Sequence, residues 1–205
     1  GVDGKKIKYI PAFYIDFDIL KPQVLDKKYD LVFSGRLAVN KGIFLLVKAV
    51  KEIKEQKPDI KLIIIGKGPL RKKIGKYIKK NRLEKNIFFS GWLPGIEDVA
   101  EVYNQSKIMV MPSFNEGGPR VTLEAMACKV PVITSRVGVM LDIIKEGENG
   151  LFIDWNPKDI ADKIMLLLKD NSLRQKIAEN GYQTIQQFER KKVIENYAKF
   201  YQNLL

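Results

Sequence analysis

A chain of 205 residues with a formal charge of +12 is long enough to bury a core and fits one domain, or one large domain of a bigger enzyme. No apolar run approaches the ~18 residues that suggest a membrane span, and residues 1–10 do not read as a signal peptide. A single cysteine, Cys128, excludes an internal disulfide framework; with no histidine the usual metal spacings are missing, and neither metal nor other cofactor is expected.

In chain order, Ile7 to Pro11 reads as a short strand and Ala12 to Gln23 as an irregular segment carrying Asp16, Asp18 and Pro22. Asp30 to Ser34 is a strand ending in Gly35-Arg36-Leu37. After Asn40-Lys41-Gly42 a helix begins, with Ile43, Leu46, Val50 and Ile53 on its buried face. Lys61 to Ile65 is almost continuously apolar, as a strand covered on both faces should be, and Gly66-Lys67-Gly68-Pro69 turns it into a helix from Leu70 to Lys80. Ile87 to Phe89 is a strand followed by Gly91-Trp92-Leu93-Pro94, Ile96 to Asn104 a helix, and Lys107 to Met111 a strand. Beyond it come a helix from near Arg120, a strand Val130 to Thr134, a short helix Met140 to Ile144 and a strand Gly150 to Ile153. Such alternation predicts an α/β fold with a doubly wound parallel sheet, Rossmann-like, which binds ligands beyond the carboxyl ends of its strands.

The remainder is helical. Asn156 caps a helix with Pro157 at its first position, and Ile160, Ile164, Leu167 and Leu168 form its buried stripe. Ser172 with Gln175 reads as a capping box for the next helix. A final helix, Arg190 to Leu205, carries Val193, Tyr197, Phe200, Tyr201 and Leu204.

The chemistry concentrates in Pro112 to Pro131, PSFNEGGPRVTLEAMACKVP. A buried strand runs into Gly117-Gly118-Pro119, where Gly118 permits close approach and Pro119 suits the first helical turn, so the helix start would attract an anion. Glu116 and Glu124, with seven residues between, bracket this turn. Carboxylates beside a phosphate suit hydrogen bonds to hydroxyls; the alternative is one Glu complementing the helix dipole and one solvated Glu. Cys128 reads as a small buried residue of the same helix. The cationic excess is mostly scattered lysine. Its densest group, Arg71 to Lys80, lacks the interleaved aromatics that stack bases, so a nucleic-acid face is disfavoured, whereas peripheral contact with an anionic membrane surface stays open.

These segments together resemble the C-terminal, donor-binding half of the GT-B fold in retaining glycosyltransferases of family four. The resemblance covers nearly the whole chain and is carried by NEGGPRVTLEAMACKVPVIT (Asn115 to Thr134), with its Glu, seven residues, Glu spacing, and by SGRLAVNKG (Ser34 to Gly42). IIIGKGPLRKKI, FFSGWLP and EGENGLFID add weaker matches in the right order.

The resemblance implies that Arg36 and Lys41 bind the diphosphate of a nucleotide-sugar, Glu124 holds ribose hydroxyls, and Glu116 lies by the donor sugar ring. Arg36, Lys41 and Glu116 are the implied catalytic residues. Gly35, Gly117, Gly118, Pro119, Arg120 and Val121 complete the nucleotide-sugar contacts, and the base lies near Gly66, Lys67, Gly68, Trp92 and Leu93. Gly118-Pro119 departs from a common Phe-Gly, Lys129 replaces a common glycine, and Asp142 stands where Glu is usual. The resemblance further implies residues 1–23 as interdomain segment and first strand, and an N-terminal acceptor domain absent from this chain, without which turnover is slight; a cytoplasmic location is expected, with peripheral contact at the membrane's inner face left open by the basic surface. A non-catalytic nucleotide-sugar-binding module is the alternative.

Overall fold

The computed structural model describes residues 13–202. The expected strand at Ile7 to Pro11 lies outside them, as does Leu204 of the last helix. The elements are β1 (Tyr29–Ser34), α1 (Ile43–Gln56), β2 (Leu62–Ile65), α2 (Arg71–Lys80), β3 (Ile87–Gly91), α3 (Ile96–Asn104), β4 (Ser106–Met111) and α4 (Arg120–Ala127). They continue as β5 (Val132–Ser135), α5 (Met140–Ile143), β6 (Leu151–Ile153), α6 (Pro157–Lys169), α7 (Asn171–Ile185) and α8 (Arg190–Gln202).

The six strands form one parallel sheet in the order β3-β2-β1-β4-β5-β6. Every residue of β2 is buried, which is why its sequence shows no alternation: helices cover both faces. Helix α1 packs with α2 and α6, and α4 with α3 and α7, while consecutive α6 and α7 touch each other. Strand β1 has β2 on one side and β4 on the other. The winding therefore reverses between β1 and β4, opening a crevice at their carboxyl ends where no crossover helix fills the space. The loop after β1 and the turn after β4 both end there.

Several local expectations are corrected. Pro119 sits at the N-cap of α4 in extended conformation, one residue before the first helical turn, and its carbonyl accepts from Thr122 at 3.0 Å. The cap of α7 is Asp170, whose carboxylate accepts from the Leu173 amide at 2.8 Å; Ser172 and Gln175 are exposed within the helix and form no capping box. Asp170 directly follows α6, so the two helices meet without a loop in which Ser172 could cap. On α6, Ala161 rather than Leu168 completes the buried face. Asn156 does cap α6, accepting from Lys158, with Pro157 at the first position.

Lys129, where the resemblance leads to an expected glycine, holds a left-handed conformation at φ 53°. A side chain there costs energy that glycine avoids. Lys129 carries an ion pair to Glu179 at 2.7 Å and lies over the Tyr182 ring, tying the end of α4 to α7.

The irregular N-terminal segment is anchored. Ile15 is buried and pairs with the α7–α8 junction, its amide donating to Phe188 and its carbonyl accepting from Arg190. Asp16 pairs with Arg190 at 3.0 Å, and the Phe13 and Phe188 ring centres lie 4.8 Å apart. Beyond that junction α8 buries little: Val193 is its buried residue, Tyr197 and Phe200 are half-buried, and Tyr201 is 60% exposed. Among the described residues no helix is long and apolar enough to cross a membrane.

Candidate functional site

A cavity of about 540 Å³ opens at the carboxyl ends of β1, β2 and β3, a size that suits a small organic ligand. It brings together Gly35, Arg36, Gly66, Lys67, Trp92, Leu93, Val121 and Glu124 from the expected set. Its wall is largely apolar, with Pro94, Ile96 and Val99 contributing beside Leu93 and Val121. Gly68 does not line it; a β-carbon there would fall 2.5 Å from the Leu37 carbonyl, so its role is the packing of the turn. Trp92 is 71% exposed, not half-buried as its apolar bulk suggests, and stands at the mouth.

Glu124 is half-buried on α4 and accepts from the Tyr103 hydroxyl at 3.3 Å. Burial raises its pKa above the ordinary carboxylate value; the Arg120 charge and the Tyr103 hydrogen bond oppose that shift. Tyr103 is fully buried and its phenol is pushed well up, first by desolvation and then by the Glu124 charge, so it serves as a hydrogen-bond donor. Nearby Cys128 is buried and its thiol is raised to about 12, by desolvation and then by Glu124. The thiol is therefore neutral at physiological pH, in keeping with the packing role read for it.

The second half of the site surrounds Glu116. Its carboxylate pairs with the Lys41 ammonium and accepts from the Ser113 hydroxyl at 3.0 Å. Lys41 comes from the 3₁₀ turn after β1 and Glu116 from the turn after β4, so the pair spans the crevice. Sequence separation concealed it. Arg36 is exposed on the same loop, and Gly117, Gly118 and Arg120 are exposed along the turn and the start of α4, whereas Pro119 is buried. The Thr122 amide is satisfied by the Pro119 carbonyl, but the Arg120 and Val121 amides at the start of α4 have no intrahelical acceptor, so the helix presents donors beside two cations, an arrangement suited to a polyanion. Lys41, Glu116, Gly117, Gly118, Pro119 and Arg120 do not line the cavity; they sit beside it.

Two glycines hold this half together. Gly42 has φ 61°, and a β-carbon there would fall 1.8 Å from the Pro112 carbonyl. Gly138, at φ 48°, packs its α-carbon so that a β-carbon would lie 2.3 Å from the carbonyls of Glu116 and Gly117. The following amide, Val139, donates to Gly117 at 3.1 Å. The loop between β5 and α5 therefore braces the turn, a role only the glycine in Val137-Gly138-Val139 could have signalled.

Sequence reasoning also missed Ser113 and Trp155. Ser113 is fully buried, and its carbonyl accepts from the Trp155 indole at 3.0 Å and from the Ser135 hydroxyl. Among the described residues no group of three or more Cys, Asp or Glu side chains comes together in a way that would hold a metal ion.

Residues 16–184 match the family model described as glycosyl transferases group 1. An uncharacterized glycosyltransferase of Methanocaldococcus jannaschii is 34% identical over 174 residues, covering 84% of this chain and 48% of its own length. The crystallised C-terminal domain of a glycosyl transferase group 1 family protein from Francisella tularensis superposes with a TM-score of 0.78 at 29% identity, covering 83% of this chain and 96% of that one. The pneumococcal O-GlcNAc transferase GtfA in complex with UDP and GlcNAc gives 0.85 at 27% identity, covering 97% of this chain and 40% of that one. The chain spans about half the length of the curated relatives it matches.

Proposed function

The chain belongs to the glycosyl transferases of group 1, and on that premise we propose that it is the donor-binding half of an enzyme that moves a sugar, with retained configuration, from a nucleoside diphosphate to an acceptor. The observation that carries this reading is the convergence, near one reversal of strand order, of a largely apolar cavity lined by Glu124 and, at its edge, Arg36, with a crevice beside it that holds Lys41. A nucleoside fits the first and a diphosphate the second. UDP in the pneumococcal relative is consistent with a uridine ligand here.

Each residue then has a task set by its chemistry. Leu93, Pro94 and Trp92 offer apolar surface to the base. Glu124, when ionised, accepts from the ribose hydroxyls, while Tyr103 fixes its second oxygen. Arg36, Lys41 and the first-turn amides of α4 stabilise the charge that grows on the diphosphate as the glycosidic bond breaks. Glu116 faces the sugar and orients its hydroxyls. The acceptor is held by a further domain of the full-length enzyme, which closes over the crevice and excludes water.

Calorimetric titration with UDP, GDP and ADP tests the reading. At least one should bind the 205-residue chain, and Arg36→Ala and Lys41→Ala should each weaken it about ten- to a hundredfold, the range for a lost charge-assisted hydrogen bond. Unchanged affinity in both variants, with the fold intact by circular dichroism, would remove the assignment.

A further inference from the structure

Two large aromatic side chains stand in the open next to Glu116. Phe114 is 40% exposed and Trp155 50% exposed, and their ring centres lie 5.7 Å apart at 43°. Phe114 follows β4 and Trp155 follows β6, so they come from separate loops on the same rim. Neither lines the nucleoside cavity.

Their positions are held from behind. The Trp155 indole donates to the Ser113 carbonyl, the Phe114 amide donates to the Asn40 carbonyl at 2.8 Å, and the Ser113 hydroxyl donates to Glu116. Fully buried Ser113 thus ties the indole to the carboxylate through one residue. With its N–H edge turned inward and satisfied, the indole gains nothing polar from being at the surface. Two fixed, exposed rings beside a carboxylate and an ammonium form a surface of mixed character: an apolar platform with hydrogen-bonding groups at one edge.

A pyranose ring has that same division. One face presents C–H groups that rest on a π-system, while its rim carries hydroxyls. Building on the function proposed above, we propose that Phe114 and Trp155 form a stacking platform for a pyranose ring, whose hydroxyls reach Glu116. The ring belongs either to the donor or to the acceptor; both present the same chemistry.

The test follows the indole N–H signals of Trp92 and Trp155, the chain's two tryptophans, by proton–nitrogen correlation NMR, with Trp92→Phe for assignment. UDP, GDP and ADP are titrated first. Then the methyl pyranosides of glucose, galactose and N-acetylglucosamine are added at high millimolar concentration to the complex with whichever nucleotide binds. Separately, the corresponding nucleotide-sugars are titrated alone. The Trp155 signal is expected to move with a pyranose-bearing ligand beyond any change caused by the nucleotide. Movement with the methyl pyranosides assigns the platform to the acceptor, and movement with the nucleotide-sugar alone assigns it to the donor.

Trp155→Ala and Phe114→Ala should each weaken pyranose binding about tenfold while nucleotide affinity is retained, and Trp155→Phe, which keeps a ring without the N–H, should keep most of it. Nucleotide binding without movement of the Trp155 signal in either arm, or pyranose affinity unaltered in both alanine variants, overturns the platform and leaves the donor site standing. Failure of every nucleotide to bind removes the earlier reading, on which the platform depends.

Discussion

Glu124 shows how one carboxylate's surroundings set its use. Burial raises its pKa, so the folded domain holds that proton more tightly than the unfolded chain does. The resulting stabilisation is complete below the ordinary carboxylate range and is lost as pH rises through the raised value. In the proposed function ligand binding runs the opposite way, because the ionised carboxylate is the stronger acceptor for ribose hydroxyls. Nucleotide affinity should therefore fall as pH is lowered through the raised value, more steeply for a ribonucleotide than for its deoxyribose analogue. Glu124→Gln should weaken the ribonucleotide by about tenfold and the deoxyribonucleotide less. Equal losses for the two ligands, measured by calorimetry, would place the ribose elsewhere. Glu124 was found in the sequence because a fixed spacing to Glu116 marks it. The Tyr103 hydrogen bond that orients it was not legible, since Tyr103 lies on α3 and reads as an ordinary apolar-face residue.

At the level of elements, the turn after β4 is shaped by its neighbours as much as by its own residues. Gly42 starts α1 in a left-handed conformation with its α-carbon against Pro112. Gly42→Ala therefore combines backbone strain with a collision against a carbonyl, and should destabilise the domain by about 1–3 kcal/mol or more. The check is a shift of the urea midpoint with the slope unchanged. A midpoint within error of the parent would mean that β4 and α1 separate more easily than their packing suggests. The strands and amphipathic helices could be read in advance because each carries its own periodicity: β2 is apolar throughout, and α1 repeats Ile43, Leu46, Val50 and Ile53. Caps and turns were read less well. Asp170 and Ser172 are both good cap residues, and which one caps depends on where α6 ends. Pro119 likewise suits both the cap and the first turn. Contacts such as Trp155 to Ser113 join residues far apart in sequence and leave no local pattern.

Across the whole molecule, burial is uneven. The central strands and the helix faces packed on them are buried, whereas α8 leaves the domain after Val193. Apolar side chains at Ile194 and Tyr201 are half or more exposed, more than a helix closing one face of a sheet would leave. Such a helix fits the contact with an acceptor-holding domain that the proposed function calls for. In the 205-residue chain, amide exchange should be slow near Val193 and quicken toward Gln202, falling well short of the protection in β2. Protection across α8 equal to that of β2, in a sample shown to be monomeric, would mean that this helix is already fully packed.

The Lys41–Glu116 pair gives the crevice an anion of its own. Under the function proposed above, a diphosphate approaching Lys41 would exchange one negative partner for another and release a carboxylate to the sugar, so the affinity measured would be the balance of a swap. Arg36, exposed and with no carboxylate partner among the described ion pairs, would meet that diphosphate as an unquenched charge. On that proposed reading, arrival of the nucleotide and the turning of Glu116 from its lysine toward the sugar would be one event, with the Ser113 hydroxyl still holding the carboxylate in place.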